Sequence, residues 1–238
     1  MTDAHAHIGT DAELRVRLDR GIYTMLCGTD PASALEAVRL AAGSPLFTPC
    51  CALHPWNAAA YRPEDMLPFL ESCPVVGETG LDGVWCDTPI NAQMEAFLWN
   101  LDYAERNRKP VVLHTKGRER EIARILKNYS MPKLVHWYSC EEPPCDYLDQ
   151  DCYFTVGPDA KTDAAVKQVI ALTPLDRLLV ETDGLAAVEW ALGRPVCAEE
   201  LQDVLSEGMR VIAEVKRLAF EEVKAALERN FGMLLAHE

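Results

Sequence analysis

The sequence predicts an α/β fold of the TIM-type (β/α)₈ barrel class, a single domain over residues 1–238, and three observations carry that expectation. Short apolar runs recur eight times with helical segments between them. These runs are apolar without alternation, as in strands covered on both faces. The length of 238 residues is ordinary for one such barrel. The runs fall at about 2–6, 21–27, 47–53, 74–79, 110–115, 133–137, 152–157 and 177–182, with Pro110-Val111-Val112-Leu113-His114 and Arg177-Leu178-Leu179-Val180-Glu181 as examples. Helix-period segments lie at about 10–20, 31–42, 63–72, 90–108, 117–129 and 161–172, and two more, about 198–217 and 220–235, end the chain. Eight strands alternating with helices suggest closure; an open doubly wound sheet is the alternative. No Gly-x-Gly-x-x-Gly or Walker-type loop follows any strand, so the nucleotide-binding forms of that alternative lack their signature.

Hydrophobic residues make up 49% and charged residues 25%, which excludes global disorder and leaves enough apolar surface for a large core. Acidic side chains outnumber basic ones 37 to 23, for a net charge of −14. Such a surface repels polyanions, so a long groove for duplex nucleic acid is not expected, although a local cationic or metal-lined pocket for one phosphate or carboxylate is allowed. Nine cysteines, none in a Cys-x-x-Cys pair, together with no targeting segment ahead of Thr2-Asp3-Ala4-His5, point to unpaired thiols in a reducing cytoplasm. No apolar run approaches the ~18 residues of a membrane span.

The chemistry is signalled by histidine placement. Of six histidines, His5, His7, His54, His114 and His136 sit at strand ends, and His237 lies in the terminal tail. In a barrel the C-terminal strand ends converge on one rim, so these residues become neighbours. Glu78 and Asp183 end two further strands. A carboxylate buried there needs a compensating cation or donors, because desolvating an unpaired ion is costly. No Lys or Arg lies beside Glu78 in the sequence, which makes a divalent metal its natural partner. In His5-Ala6-His7 alternate residues point to one face, so both imidazoles can reach one ion. Four imidazoles and two carboxylates exceed the needs of one tetrahedral ion with an open position and suit two divalent ions sharing a bridging group. Mixed nitrogen and oxygen ligation is compatible with Zn, Mn, Mg, Ni, Fe or Co. Trp56, Trp85, Trp137 and Trp190 follow strand ends, where they either line a pocket and stack on a planar group or pack under rim loops. Cys140 and Cys145, flanking Glu141-Glu142-Pro143-Pro144, read as a reduced surface loop rather than a second metal site. Glu199-Glu200 and Glu221-Glu222 are expected in helix first turns.

These residues resemble the TatD-type metal-dependent hydrolases, the TatD-related deoxyribonuclease family within the amidohydrolase superfamily of TIM barrels, and the resemblance runs nearly end to end. Asp3-Ala4-His5-Ala6-His7 matches the family's opening D-x-H-x-H, and Ala52-Leu53-His54-Pro55-Trp56 is similar to its G-x-H-P segment. Val76-Gly77-Glu78-Thr79-Gly80-Leu81-Asp82 is close to IGE-x-GLD, and Lys109-Pro110-Val111-Val112-Leu113-His114-Thr115 is similar to KP-x-x-x-H-x-R. Leu134-Val135-His136-Trp137-Tyr138-Ser139 and Leu178-Leu179-Val180-Glu181-Thr182-Asp183 match the last two motifs. The resemblance implies that His5, His7 and Asp183 hold one ion, that Glu78 bridges, and that His114 and His136 hold the second. It implies metal-assisted hydrolysis with Asp183 as general base and Glu78 in the catalytic centre. His54 is expected either to bind substrate or a leaving group rather than a metal, or to pack beside the ligands and support them, with Lys116 as a second substrate-binding residue.

Three departures bear on the substrate. Gly184-Leu185-Ala186-Ala187-Val188-Glu189-Trp190 stands where the family continues Ser-Pro and a basic loop. Lys116 replaces an arginine, and Cys140 replaces a glycine. The ligands survive while groups that grip a nucleic-acid backbone are thinned. The expected substrate is therefore a small or short phosphodiester, such as a single-stranded nucleic-acid end, cleaved in a nuclease-like reaction. The alternatives are an amidohydrolase or esterase acting on a small metabolite, and a non-catalytic barrel serving as a binding module.

Overall fold

The computed structural model describes residues 1–236, so His237 lies outside the described residues. Eight parallel strands follow one another around a single sheet in chain order: β1 (Thr2–His7), β2 (Tyr23–Gly28), β3 (Phe47–Cys51), β4 (Val75–Asp82), β5 (Val111–Lys116), β6 (Lys133–Val135), β7 (Tyr153–Val156) and β8 (Leu178–Val180). A parallel bridge between Ala6 and Asp183 brings the last strand back to the first, and the Asp183 N–H donates to the His5 carbonyl at 3.0 Å. The sheet is thus a barrel, and the open doubly wound alternative is excluded.

Each crossover helix follows from local chemistry. In α1 (Asp11–Asp19) Thr10 caps the first turn and Glu13 returns the bond to the Thr10 N–H. In α2 (Pro31–Gly43) the Asp30 carboxylate accepts from the Ser33 N–H at 2.8 Å and Pro31 opens the helix. The segment expected to be helical over 63–72 is a 3₁₀ turn, Pro63–Met66, running into the single turn α3 (Leu67–Leu70). Pro68 has no N–H to continue an α-helical ladder through that point. Then come α4 (Ile90–Asn107), α5 (Glu119–Leu126), the single turn α6 (Cys145–Leu148) and α7 (Ala164–Leu172). The last of these starts three residues later than the periodicity suggests, because the Asp163 carboxylate caps it by accepting from the Ala165 and Val166 N–H groups.

Besides the single turn α6, one helix was unforeseen. The segment after Asp183 is a helix, α8 (Leu185–Leu192), ended by Gly193 at φ +63°. Its Ala- and Leu-rich sequence favours helix, but Val188 is its only fully buried side chain, so it shows almost no inward stripe. It is followed by α9 (Leu201–Lys216) and α10 (Phe220–Leu235); Glu199-Glu200 lie in the 3₁₀ turn leading into α9 and Glu221-Glu222 in the first turn of α10. Phe231 and Leu234 of α10 pack beneath Ala4, Met25, Cys50, Val112 and Leu179 of the barrel interior, closing its N-terminal end. What remains open is the opposite rim. Among the described residues no helix is long and apolar enough to cross a membrane, and all nine cysteines are free thiols.

Candidate metal centre

Glu78 lies at the centre of that rim, and its two carboxylate oxygens face different groups. Oε2 is 3.5 Å from His5 Nε2 and 3.6 Å from His7 Nε2. Oε1 is 2.8 Å from both His114 Nδ1 and His136 Nε2. Asp183 Oδ1 stands 3.2 Å from His5 Nε2 and 3.4 Å from His7 Nε2. All six residues singled out as ligands in the sequence therefore meet at one place. His5, Glu78, His114 and His136 are buried, whereas the His7 side chain is 43% exposed at the mouth.

The donor set fits a divalent cation. Donors bound at ~2.0–2.1 Å to one tetrahedral ion lie ~3.3–3.4 Å apart, and the spacings among His5 Nε2, His7 Nε2, Glu78 Oε2 and Asp183 Oδ1 bracket that range. His5 Nε2, Glu78 Oε2 and Asp183 Oδ1 are fully buried atoms without a hydrogen-bond partner, although each faces the others. Buried polar atoms of this kind are rarely left unpaired, and one cation would satisfy all three.

The buried groups at this place also shift one another's charge. Burial works against ionising Glu78, yet His136, His54 and His5 hold its carboxyl well below the usual range. Burial likewise opposes charge on His136, but Glu78 and Glu181 lift it to about 10. For His114 too, burial is outweighed, by Asp82 and Glu78, and its pKa is raised. Carboxylates and imidazoles brought this close favour each other's charged forms.

Neighbouring residues orient these candidate ligands. Asp82 Oδ2 is 3.0 Å from His114 Nε2 and accepts from Trp56 Nε1 at 2.7 Å; its Oδ1 accepts from the Val84 and Trp85 N–H groups. Glu181 Oε1 lies 3.2 Å from His136 Nδ1, and Cys27 Sγ lies 3.2 Å from His5 Nδ1. Neither Asp82 nor Glu181 was assigned a role from sequence, although the arithmetic that pairs His5 with His7 also puts Glu78 with Asp82, and Glu181 with Asp183, on one strand face. Gly80, at φ +155°, lets the two backbones come together: a side chain there would overlap the His114 carbonyl oxygen.

His54 differs from the other histidines. Its Nδ1 accepts from the Trp56 N–H at 3.1 Å, so the neutral ring carries its hydrogen on Nε2, 3.5 Å from Glu78 Oε2. Burial pushes its pKa down to about 4, consistent with a neutral ring. His54 lies close enough to Glu78 and His114 for the three to form a candidate cluster, and with its hydrogen in place Nε2 is a donor rather than a lone-pair ligand. Lys116 lines the same cavity, of about 610 Å³, as do Trp56, Trp85, Trp137 and Trp190. Cys140 is half-buried, Cys145 is exposed, and among the described residues neither belongs to a cluster able to hold a metal.

Comparison with known proteins meets this geometry from outside. A family model described as TatD related DNase matches residues 2–236. The chain is 28% identical over 209 residues to an uncharacterized metal-dependent hydrolase, TatD, of Mycobacterium tuberculosis, covering 77% of this chain and 79% of that protein. It is 27% identical over 172 residues to the 3'-5' ssDNA/RNA exonuclease TatD of a Rahnella strain, covering 67% and 65%. The structure of YJJV, a TatD homolog from Escherichia coli K12, superposes with a TM-score of 0.85 at 24% identity, covering 98% of this chain and 97% of that one, which supports the fold. A match of this extent, on a barrel whose rim gathers the donors such chemistry requires, makes the chain a metal-dependent hydrolase of the TatD-related DNase family.

Proposed function

We propose that this hydrolase cleaves phosphodiester bonds in small or short substrates, single-stranded nucleic-acid ends above all, and that Glu78 is the bridge of a two-ion centre. The observation that carries the reading is the division of labour in the Glu78 carboxylate, with Oε2 turned to the His5, His7 and Asp183 group and Oε1 to His114 and His136. His5, His7 and Asp183 would hold one divalent ion, His114 and His136 the other. When bound, such ions lower the pKa of a water and neutralise charge building on a phosphoryl oxygen.

The protein's own groups do the rest. Asp183 takes the proton of the attacking water as general base. His54 donates its Nε2 hydrogen to a substrate oxygen. Lys116, held 3.1 Å from Ser139 Oγ, contributes the ammonium that anchors a phosphate. Asp82 fixes the orientation of His114 and, through Trp56 and the Trp85 N–H, the rim around it.

Two measurements test this. Protein purified without chelator is expected to contain divalent metal and to cleave simple phosphodiesters faster than comparable amides or carboxylic esters; chelation should stop the reaction, and Asp183→Asn should slow it about 10²–10⁴-fold. Amide or ester turnover exceeding that of every phosphodiester would move the activity to that bond class. Asp82→Asn is expected to cost roughly 10–100-fold in metal affinity or rate, as for other carboxylates that orient ligating histidines. Unchanged metal affinity and rate would show that Asp82 only braces the loop.

A further inference from the structure

The rim carries an aromatic wall that metal chemistry does not need. Trp190 of α8 is 67% exposed and Trp85 49%. The Trp190 ring lies 5.9 Å from Trp85 and 6.0 Å from Trp137, at interplanar angles of 72° and 75°. Neighbouring rings therefore meet edge to face, and none is stacked flat on another. Trp137 is the most tightly placed of the three. Its backbone is left-handed at φ +36°, unusual for a bulky residue, and its Nε1 donates to Asp159 Oδ1 at 2.9 Å. Its ring rests on Gly157, where any added Cβ would collide with indole atoms. Strain held in this way concentrates at binding sites. Leaving three indoles partly in water is unfavourable unless something covers them.

The cavity also offers a charge. Lys116 Nζ lies 4.2 Å from the centre of the Trp85 ring, and it is the one lysine or arginine among the described residues lining the cavity. An angled aromatic wall beside a single ammonium matches one planar ring joined to one phosphate. On a surface of net charge −14, it also limits how much of a polyanion is gripped.

We propose that Trp85, Trp137 and Trp190 form the binding site for a nucleobase, with Lys116 on the attached phosphate, so that substrates are selected by the base of the terminal nucleotide. The inference rests on the phosphodiesterase reading for the identity of its occupant, but its test does not require turnover.

The test is calorimetric titration of the metal-loaded protein with a deoxynucleoside 5'-monophosphate and with 2-deoxyribose 5-phosphate, which keeps the phosphate and lacks the base. The nucleotide is expected to bind roughly tenfold or more tightly, the size of a base–aromatic stack. Trp190→Ala, at an exposed helical position that tolerates alanine, should remove that difference. Trp99→Phe, at a ring that stacks on Tyr103 and does not line the cavity, should preserve it. Equal affinity for the two ligands, no binding of either at millimolar concentration, or a preference untouched by Trp190→Ala each overturns the proposal. Base-dependent binding without cleavage of any diester would instead remove the catalytic reading and leave this site standing.

Discussion

Replacing Glu78 by glutamine is expected to reduce hydrolysis at least about a thousandfold and to strip the protein of bound metal. Glutamine preserves volume, so the effect isolates charge and ligation. In the wild type Oε1 faces two imidazole nitrogens at 2.8 Å, and Oε2 faces those of His5, His54 and His7 at 3.5, 3.5 and 3.6 Å. An amide keeps one acceptor and turns two hydrogens toward the other group, which no longer offers a site to a cation. Two measurements separate this outcome from simple misfolding. Elemental analysis should find the variant depleted of metal. Adding metal at about a hundred times its dissociation constant should stabilise the wild type by about 2.7 kcal/mol and leave the variant's melting temperature unmoved. A Glu78→Gln protein that kept its metal and turned over within tenfold of wild type would remove Glu78 from the centre of the mechanism.

The reason Glu78 could be found in the sequence lies in topology. A parallel barrel gathers strand ends on one rim, so His5, Glu78, His114, His136 and Asp183 meet although no two of them are closer in sequence than 22 residues. The strands were equally legible, since residues covered on both faces must be apolar throughout. What escaped notice depends on interactions that sequence does not encode locally. The donor character of His54 comes from the Trp56 backbone N–H, a feature of one 3₁₀ turn. Helix α8 has no buried stripe to produce a period, because much of its surface, Trp190 included, faces the mouth and solvent. Asp82 and Glu181 were within reach of the alternation rule, but they sit beside stronger candidates on the same strands and draw notice only once His114 and His136 are seen to need second partners.

The least legible feature is the clamp that closes the barrel, and it yields the largest expected effect on stability. Helix α1 reads as polar, Asp-Ala-Glu-Leu-Arg-Val-Arg-Leu-Asp, and nothing marks Arg17 as different from Arg15. Yet Arg17 is 1% exposed and donates to Asp3 Oδ2 at 2.6 Å, to Thr24 Oγ1 at 3.0 Å and to Thr182 Oγ1 at 3.0 Å. Asp3 in turn accepts from the Thr182 N–H at 2.9 Å and its hydroxyl at 2.6 Å, tying the start of β1 to the residue before Asp183. Arg17→Met keeps most of the volume and leaves the Asp3 carboxylate buried without its cation. The expected loss is about 3–5 kcal/mol of unfolding free energy, the size seen when one partner of a buried pair is removed. Asp3→Asn combined with Arg17→Met should cost clearly less than the two single changes added together, because the double variant buries no uncompensated charge. Equilibrium denaturation of the three variants measures both effects. A single Arg17→Met change within about 0.5 kcal/mol of wild type, the range of ordinary surface substitutions, would mean that the ring is held by its backbone bridge and apolar core alone.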